Sequence, residues 1–103
     1  MNHDNITIKH DQQHHMFFIK LNGGAAHLKY DKPKENVVNI KETYVPTSAR
    51  NLGLASQLVK HTIKLANSQN QKVVASCPFA ADYMKKQAVL ASELMILQAE
   101  KRS

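Results

Sequence analysis

The sequence predicts one mixed α/β (α+β) domain spanning residues 1–103: a four-stranded antiparallel meander, a helix, a parallel fifth strand and a C-terminal helix. The first observation is size, because 103 residues suit one domain of roughly 100–150 residues and not two. The second is composition, since 43% hydrophobic and 21% charged residues are typical of a chain with a packed core. The third is periodicity, which changes from two residues in the first half to three or four in the second.

Four candidate strands in the first half are separated by turn-forming residues. Each is rich in β-branched, aromatic or alternating apolar residues, which favour a pleated and half-buried strand. Asn22-Gly23-Gly24 predicts a tight connection, Asp31 to Lys34 predicts a break, and Pro46 ends the last strand. Successive hairpins of this kind form a meander. The strands are predicted at residues 6–9, 14–21, 25–30 and 37–45.

The second half predicts a helix, a strand and a helix. Apolar residues recur at three- and four-residue steps from Leu52 to Ala66, which indicates a helix with one buried stripe. Thr47 or Ser48 is positioned to cap its start, and residues 67–70 end it. A short strand follows at residues 72–76, and a helix runs from there to about residue 98. A crossover connection places residues 72–76 parallel to residues 37–45, and two such strands splay at a ligand-binding crevice.

Charge and cysteine content narrow the function classes. No stretch approaches the ~20 apolar residues of a membrane span, and the N-terminus lacks a secretory apolar region, so we expect a cytoplasmic protein.

Cys77 is the only cysteine, which excludes an internal disulfide and a multi-cysteine zinc site. A net charge of +6 favours anionic partners: nucleic acid, a membrane surface or a phosphate-bearing ligand. Nucleic acid is the weakest of these, because the lysines are scattered and aromatic residues make up only 6%.

One junction between strand and helix carries a candidate anion site. Residues 50–55 (RNLGLA) lie where first-turn amides are unpaired and the helix dipole is positive, so backbone alone can hold a pyrophosphate. Gly53 allows close approach because it has no Cβ. A single glycine is a weak motif, and the alternative is that Gly53 serves helix packing while Arg50 is a solvated charge.

The stretches ETYVPTSARNLGLASQLVKHTIKLA and KVVASCPFAADYMKK, with the opening IKHDQQHHMFFIKLNGGAAHLKY, resemble the GNAT acetyltransferase superfamily. The likeness is to its small single-domain members of about a hundred residues. It covers nearly the whole chain, although Asn51 stands where the small subgroup usually has a second glycine. The resemblance implies acetyl-CoA as cosubstrate, with pantetheine pairing along the strand and pyrophosphate on the loop amides. The implied cofactor-binding residues are Thr43, Tyr44, Val45, Arg50, Asn51, Leu52, Gly53, Leu54 and Ala55.

Three residues are candidates for catalysis in light of this resemblance. Cys77 ends the second parallel strand, where the thioester reaches; it either accepts the acetyl group or is a buried core thiol, and the helix start after Pro78 favours a lowered pKa. Tyr83 lies where larger relatives protonate the leaving thiolate, with a core or rim tyrosine as the alternative. Glu42 either deprotonates the amine through water or pairs with a lysine on a neighbouring strand.

The function hypotheses come from different classes. The first is an acetyl-CoA-dependent N-acetyltransferase acting on an unidentified amine of a small molecule or protein, by direct transfer or through Cys77. The alternative is a non-catalytic acetyl-CoA or CoA-binding module. No metal site is expected, because the six histidines lack ligand spacing. The sequence leaves open whether the protein forms a homodimer, because the short sheet and the apolar last helix could support one but do not define its interface.

Overall fold

The fold is a five-stranded sheet with two helices, described for residues 6–88 by a computed structural model. The strands lie in sequence order; the first four pair antiparallel, and the fifth pairs parallel to the fourth. The predicted fold class is therefore confirmed, while the last predicted helix beyond residue 88 lies outside the described residues. The strands are β1 Lys9–Asp11, β2 Met16–Leu21, β3 Gly24–Lys34, β4 Val37–Tyr44 and β5 Lys72–Ala75, and the helices are α1 Leu54–Ser68 and α2 at residues 78–88.

The core lies between one face of the sheet and α1. Alternate residues of β2, β3 and β4 are buried, and α1 buries one stripe against them, as the two periodicities require. The largest fully buried side chains are Leu28, Ile40, Leu58 and Val59. The intervening strand residues point to the other face, here called the open face, on which Phe18, His27, Lys29, Glu42 and Tyr44 are half-buried or exposed.

A β-bulge in β4 changes which residues share a face. Tyr30 pairs with Ile40, but the preceding residue of β3, Lys29, pairs with Glu42, so Lys41 is the extra residue. Beyond the bulge the odd-numbered residues of β4 point toward the core. Thr43 consequently lies on the same side as α1, and its neighbour Glu42 lies on the open face.

The parallel strands separate beyond Ile40. β5 pairs only with Val37–Ile40 of β4, and the Ile40 carbonyl accepts hydrogen bonds from the amides of Ser76 (2.9 Å) and Cys77 (3.0 Å). Asn39 holds the chain at this point, because its Oδ1 accepts a hydrogen bond from the Ser76 amide at 3.0 Å. Residues 41–44 of β4 therefore run on without β5 beside them. We call the space between residues 41–44 and Ser76–Cys77 the splay.

Three strands differ from their predicted bounds by two residues or more. β2 begins at Met16 and not at residue 14. β1 begins only at Lys9, so Ile6 and Ile8 precede it and pack against the core from outside the sheet. β3 continues through Pro33 to Lys34, so the predicted break was wrong. Register shifts between Asp31 and Lys34 accommodate the proline, which has no amide hydrogen to donate to the ladder.

The predicted start of α1 was also wrong. Thr47 and Ser48 lie in a separate 3₁₀ turn, Thr47–Ala49, and α1 begins at Leu54 after Gly53. Within the described residues no side chain caps this end of the helix. Leu52, predicted as part of the buried stripe, precedes the helix and is 49% exposed.

The end of α1 follows the prediction. Asn70 has a φ of 58°, and the Gln71 and Asn70 amides donate to the carbonyls of Ala66 and Asn67. This is a Schellman termination, in which asparagine takes the left-handed position that glycine often occupies. No helix within residues 6–88 is long and apolar enough to cross a bilayer.

Candidate functional site

The loop from β4 to α1 presents a row of unpaired amides. Asn51 and Gly53 have φ values of 71° and 73°, a left-handed conformation that glycine and asparagine tolerate best. Asn51 therefore occupies a position where glycine is also favoured. Within residues 6–88, no backbone carbonyl accepts from the amides of residues 51–56, and the first helical bond runs from the Gln57 amide to the Gly53 carbonyl at 3.1 Å.

A pocket of about 260 Å³ lies against this loop. Phe79, at the start of α2, forms part of its wall and is 42% exposed. The sequence reasoning did not assign Phe79 to the site, although an aromatic residue directly after Cys77-Pro78 was a signal that could have done so. The other lining residues are Val45, Ala49, Arg50, Asn51, Gly53, Leu54, Ala55 and Ser56.

Arg50 connects the loop to the end of β4. Its Nε donates to the Val45 carbonyl at 3.3 Å, which fixes the guanidinium beside the amides just described. The arginine is exposed, so its charge faces solvent together with the positive end of the α1 dipole. Backbone donors and a cation thus converge where an anion can bind.

Cys77 lies at the inner side of the splay. Its side chain is buried, with a relative exposure of 6%, and its Sγ is 3.6 Å from Thr43 Oγ1. The bulge brings these two residues together, because without it Thr43 would face the opposite side of the sheet. The burial of Cys77 agrees with the alternative of a core thiol, and its place two residues after β5 agrees with the position expected from the sequence. Its role as an acetyl acceptor stays a prediction.

The hydrogen bonds around Cys77 favour its thiolate. Burial alone raises the pKa, but hydrogen bonds from the Ala80 amide, the Thr43 hydroxyl and the Phe79 amide together outweigh it, and the net pKa lies below the usual value. Amides in the first turn of a helix stabilise a thiolate in this way. These donors therefore offset the effect of burial on the Cys77 pKa.

We expect Thr43→Val to slow alkylation of Cys77. Losing the hydroxyl donor raises the Cys77 pKa, and one hydrogen bond contributes about 1 kcal/mol, so the rate with iodoacetamide at pH 7 should fall roughly fivefold. The pH at which the rate is half-maximal should rise. Thr43→Ser keeps the hydroxyl and serves as the control. Equal rates for Thr43→Val and the intact protein across the pH range would show that Thr43 does not stabilise the thiolate.

Glu42 pairs with a histidine and not with a lysine. His27 Nε2 lies 2.7 Å from Glu42 Oε2, so the predicted alternative of a lysine partner was wrong. The hydrogen bond from His27 is the main reason that the Glu42 pKa lies below its usual value; burial opposes it, and Lys29, the charge of His27 and Lys41 add smaller effects. The residues that flank the splay thus differ by face: Thr43 and Cys77 lie on the α1 side, and Glu42 lies on the open face.

Tyr83 lies on α2, half-buried, and packs against the hydrophobic core. Its predicted role toward a leaving thiolate stays a prediction, as do the predicted cofactor-binding roles of the loop and of residues 43–45. Tyr83 lies one helical turn beyond Phe79 and Ala80 on α2, the helix whose first amides donate hydrogen bonds to Cys77.

Several histidines pack in an aromatic cluster at the far end of the sheet. His10 stacks on Phe17 with ring centroids 4.1 Å apart, and its Nε2 is 2.7 Å from the hydroxyl of Tyr30. His61 meets Phe17 edge-on, and His15 stacks on Tyr30. In the described part of the chain, no three His, Cys, Asp or Glu side chains are grouped to hold a metal ion.

Residues 16–93 match the sequence profile of the GCN5-related N-acetyltransferases. The chain belongs to this family. A solved structure agrees with the assignment: a GCN5-like candidate N-acetyltransferase of Staphylococcus aureus, determined by NMR, shares 29% identity over 81% of each chain with a TM-score of 0.65. Among curated proteins, none matches the sequence significantly.

Membership in the GCN5-related N-acetyltransferase family supports acetyltransferase activity in general. The size of the chain, which ranks it with the small single-domain members, and its mixed sheet with a parallel β4–β5 pair both fit the family. The family resemblance expected from the sequence is thereby confirmed.

Proposed function

We propose that this protein is an acetyl-CoA-dependent N-acetyltransferase. The observation that carries the proposal is the combination of the splay with the unpaired amides of residues 51–56, in a chain of the GCN5-related N-acetyltransferase family. The amides lie at the end of β4, and the splay opens along the same strand. An acyl-CoA has the matching parts, an anionic pyrophosphate joined to an extended arm that ends in a thioester.

The loop binds the pyrophosphate in this proposal. The amides of Asn51 to Ala55 donate to phosphate oxygens, with the α1 dipole and the Arg50 guanidinium supplying positive charge. The pantetheine amides pair with the free edge of Thr43 to Val45. The Val45 carbonyl is already bonded to Arg50 at 3.3 Å, so an amide from pantetheine shares or replaces that donor.

The acetyl group then lies in the splay between the two faces of the sheet. We propose direct transfer as the main route, in which the amine attacks the thioester carbonyl carbon and the thiolate of CoA leaves. Glu42 lies on the open face as part of the proton-accepting machinery, and Tyr83 supplies the proton for the leaving thiolate. The alternative route passes through an acetyl-Cys77 thioester. The lowered pKa of Cys77 supports this route, whereas the burial of its sulfur opposes it.

Calorimetric titration with acetyl-CoA and with CoA tests the proposal. We expect binding in the micromolar range, and release of CoA thiol when a panel of primary amines is added. Absence of binding would refute the proposed site. Binding of acetyl-CoA without transfer to any amine would instead favour a CoA-binding module.

Cys77→Ala separates the two routes. We expect the variant to retain most of its turnover, because direct transfer does not use the sulfur. Loss of turnover, together with an acetyl group on Cys77 of the intact protein in the mass spectrum, would establish the covalent variant. Thermal melting of the variant controls for loss of the buried side chain.

A further inference from the structure

A cavity of about 270 Å³ lies between the last turns of α1 and the strands β1 to β4, on the side of the sheet that α1 covers. Its volume is slightly below the roughly 300–1,000 Å³ of pockets for drug-sized ligands, which restricts an occupant to a small molecule. α1 has 15 residues, and at about 1.5 Å per residue its two ends are roughly 20 Å apart. The cavity is therefore separate from the loop before α1, where the proposed CoA site lies.

The floor of the cavity is apolar and buried. Phe17, Tyr30, Val38 and Ala66 form it, and each exposes 8% of its surface or less. Thr62 is also buried there, and its hydroxyl already donates to a backbone carbonyl of α1 at 2.9 Å. The apolar part of a ligand can therefore leave water on this floor without breaking a hydrogen bond of the protein.

Two pairs of stacked rings line the cavity. His10 stacks on Phe17 with ring centroids 4.1 Å apart, and His15 stacks on Tyr30 at 5.2 Å; the angles between the planes are 19° and 18°. His10 Nε2 lies 2.7 Å from the Tyr30 hydroxyl, which joins the two pairs. Aromatic groups pack on one another by offset stacking or by edge contacts, so a flat ring suits this lining.

The rim of the cavity is polar and carries a positive charge. Exposed side chains form it: His10, Gln12, His15, Lys32 and Gln69. Among the lining residues within residues 6–88, Lys32 is the only lysine or arginine, and none is an aspartate or a glutamate. An ammonium group and side-chain amides are hydrogen-bond donors for a carboxylate, and the bond from the ammonium group is strengthened by its charge.

The charges around His10 leave room for an anion beside it. Asp11, the next residue of β1, does not line the cavity, and its Oδ2 lies 2.8 Å from His14 Nδ1. Partial desolvation lowers the pKa of His10 most, and repulsion from His61 lowers it further; attraction to Asp11 opposes them, and repulsion from His15 adds a smaller lowering. A carboxylate bound at the rim would favour the charged imidazole and so raise the His10 pKa.

The last turn of α1 points few free carbonyls at the cavity. The Ala66 carbonyl accepts hydrogen bonds from the amides of Gln69 (3.0 Å) and Gln71 (2.8 Å), and the Asn67 carbonyl accepts one from the Asn70 amide at 3.1 Å. These bonds satisfy carbonyls at the negative end of the helix dipole. Their repulsion of an anion at the rim is reduced accordingly.

We propose that this cavity binds a small carboxylate carried on a flat ring, with the ring on the floor and the carboxylate at the rim beside Lys32 and His10. The buried floor and the stacked rings match the apolar flat part of such a ligand, and the donors of the rim match its charge. The inference goes beyond the proposed acetyltransferase activity, because the cavity uses none of the residues of the loop before α1.

NMR titration of the intact protein with benzoate, in the absence of acetyl-CoA, tests the inference. Benzamide has the same ring without the charge, and acetate has the charge without the ring. We expect benzoate to bind with a Kd of about 1 mM or below, as suits a ligand of its size, and the other two to bind at least about tenfold more weakly. The signals of Phe17 and Tyr30 should shift, and the pKa of His10 should rise.

Lys32→Gln and Lys34→Gln are the matched variants. Both lysines are exposed on β3, and each substitution removes one positive charge, but only Lys32 lines the cavity. We expect Lys32→Gln to weaken benzoate binding by about tenfold, the effect of losing one charge-assisted hydrogen bond. Lys34→Gln should leave the affinity unchanged.

Five outcomes would overturn the inference: no binding of benzoate, equal binding of benzamide or acetate, equal effects of the two lysine variants, an unchanged His10 pKa, and shifts at residues 50–55 in place of the cavity. The last result would assign the anion to the loop before α1. The acetyl-CoA titration is a separate measurement, so failure of either proposal leaves the other standing.

Discussion

Gly53→Glu is expected to weaken acetyl-CoA binding at least about 100-fold. The substitution places a carboxylate beside the loop amides, where the proposed pyrophosphate lies. Two unit charges about 4 Å apart near a protein surface repel by about 4 kcal/mol, more than such a loss of affinity requires. Nothing lies within 4 Å of a Cβ added at Gly53, so the first atom of the new side chain meets no neighbour. Calorimetric titration of the variant with acetyl-CoA measures the effect.

Gly53→Ala separates charge from backbone strain. Gly53 has a φ of 73°, and a non-glycine residue in the left-handed region costs about 1–2 kcal/mol. Both variants carry this strain, but only Gly53→Glu adds the negative charge. We expect Gly53→Ala to remain folded and to lose roughly tenfold in affinity at most. Equal losses in the two variants would attribute the effect to loop geometry, and unchanged binding by Gly53→Glu would place the pyrophosphate elsewhere.

Ile40→Ala is expected to destabilise the fold by about 2–5 kcal/mol, the range for large-to-small substitutions in a packed core. The Ile40 side chain is fully buried, at the last position where β5 pairs with β4. In a domain of about 100 residues, such a loss lowers the melting temperature by roughly 20 °C. Urea unfolding, with an unchanged m-value, gives the free energy directly.

Val74→Ala is the control for Ile40→Ala. Val74 also lies in the β4–β5 ladder, opposite Asn39, but it is 38% exposed. We expect a loss below about 1 kcal/mol, because little apolar surface leaves water on folding at this position. If the two variants lost equal stability, the core would not be centred between α1 and the sheet.

The free amides of the loop between β4 and α1 could be predicted from the sequence because the signals for them are local. Arg50 and Gly53 lie within four residues of each other at a junction between strand and helix, and unpaired amides are a general property of helix starts. The exact helix start was not predictable, because a glycine in the left-handed region, and not Thr47 or Ser48, precedes α1. Turn propensity and capping propensity overlap in such residues, so sequence alone did not separate them.

The pairing of the side chains around the splay could not be predicted. His27 and Glu42 are 15 residues apart, and Thr43 and Cys77 are 34 apart. Which of them meet depends on the bulge at Lys41, and a bulge is a property of two paired strands and not of either sequence. Counting in steps of two through β4 would have placed Thr43 on the open face and Glu42 on the core side.

The sequence by itself determined the meander, the amphipathic α1, the short β5 and the free amides of the loop before α1, because each depends on the periodicity or backbone preference of neighbouring residues. The tertiary structure decided where β4 and β5 part, which face each β4 residue occupies, and that His27 rather than a lysine meets Glu42. These depend on strand register and on one extra residue in a ladder. Such features arise only when distant segments pair, because their free energy depends on contacts between those segments and not on either segment alone.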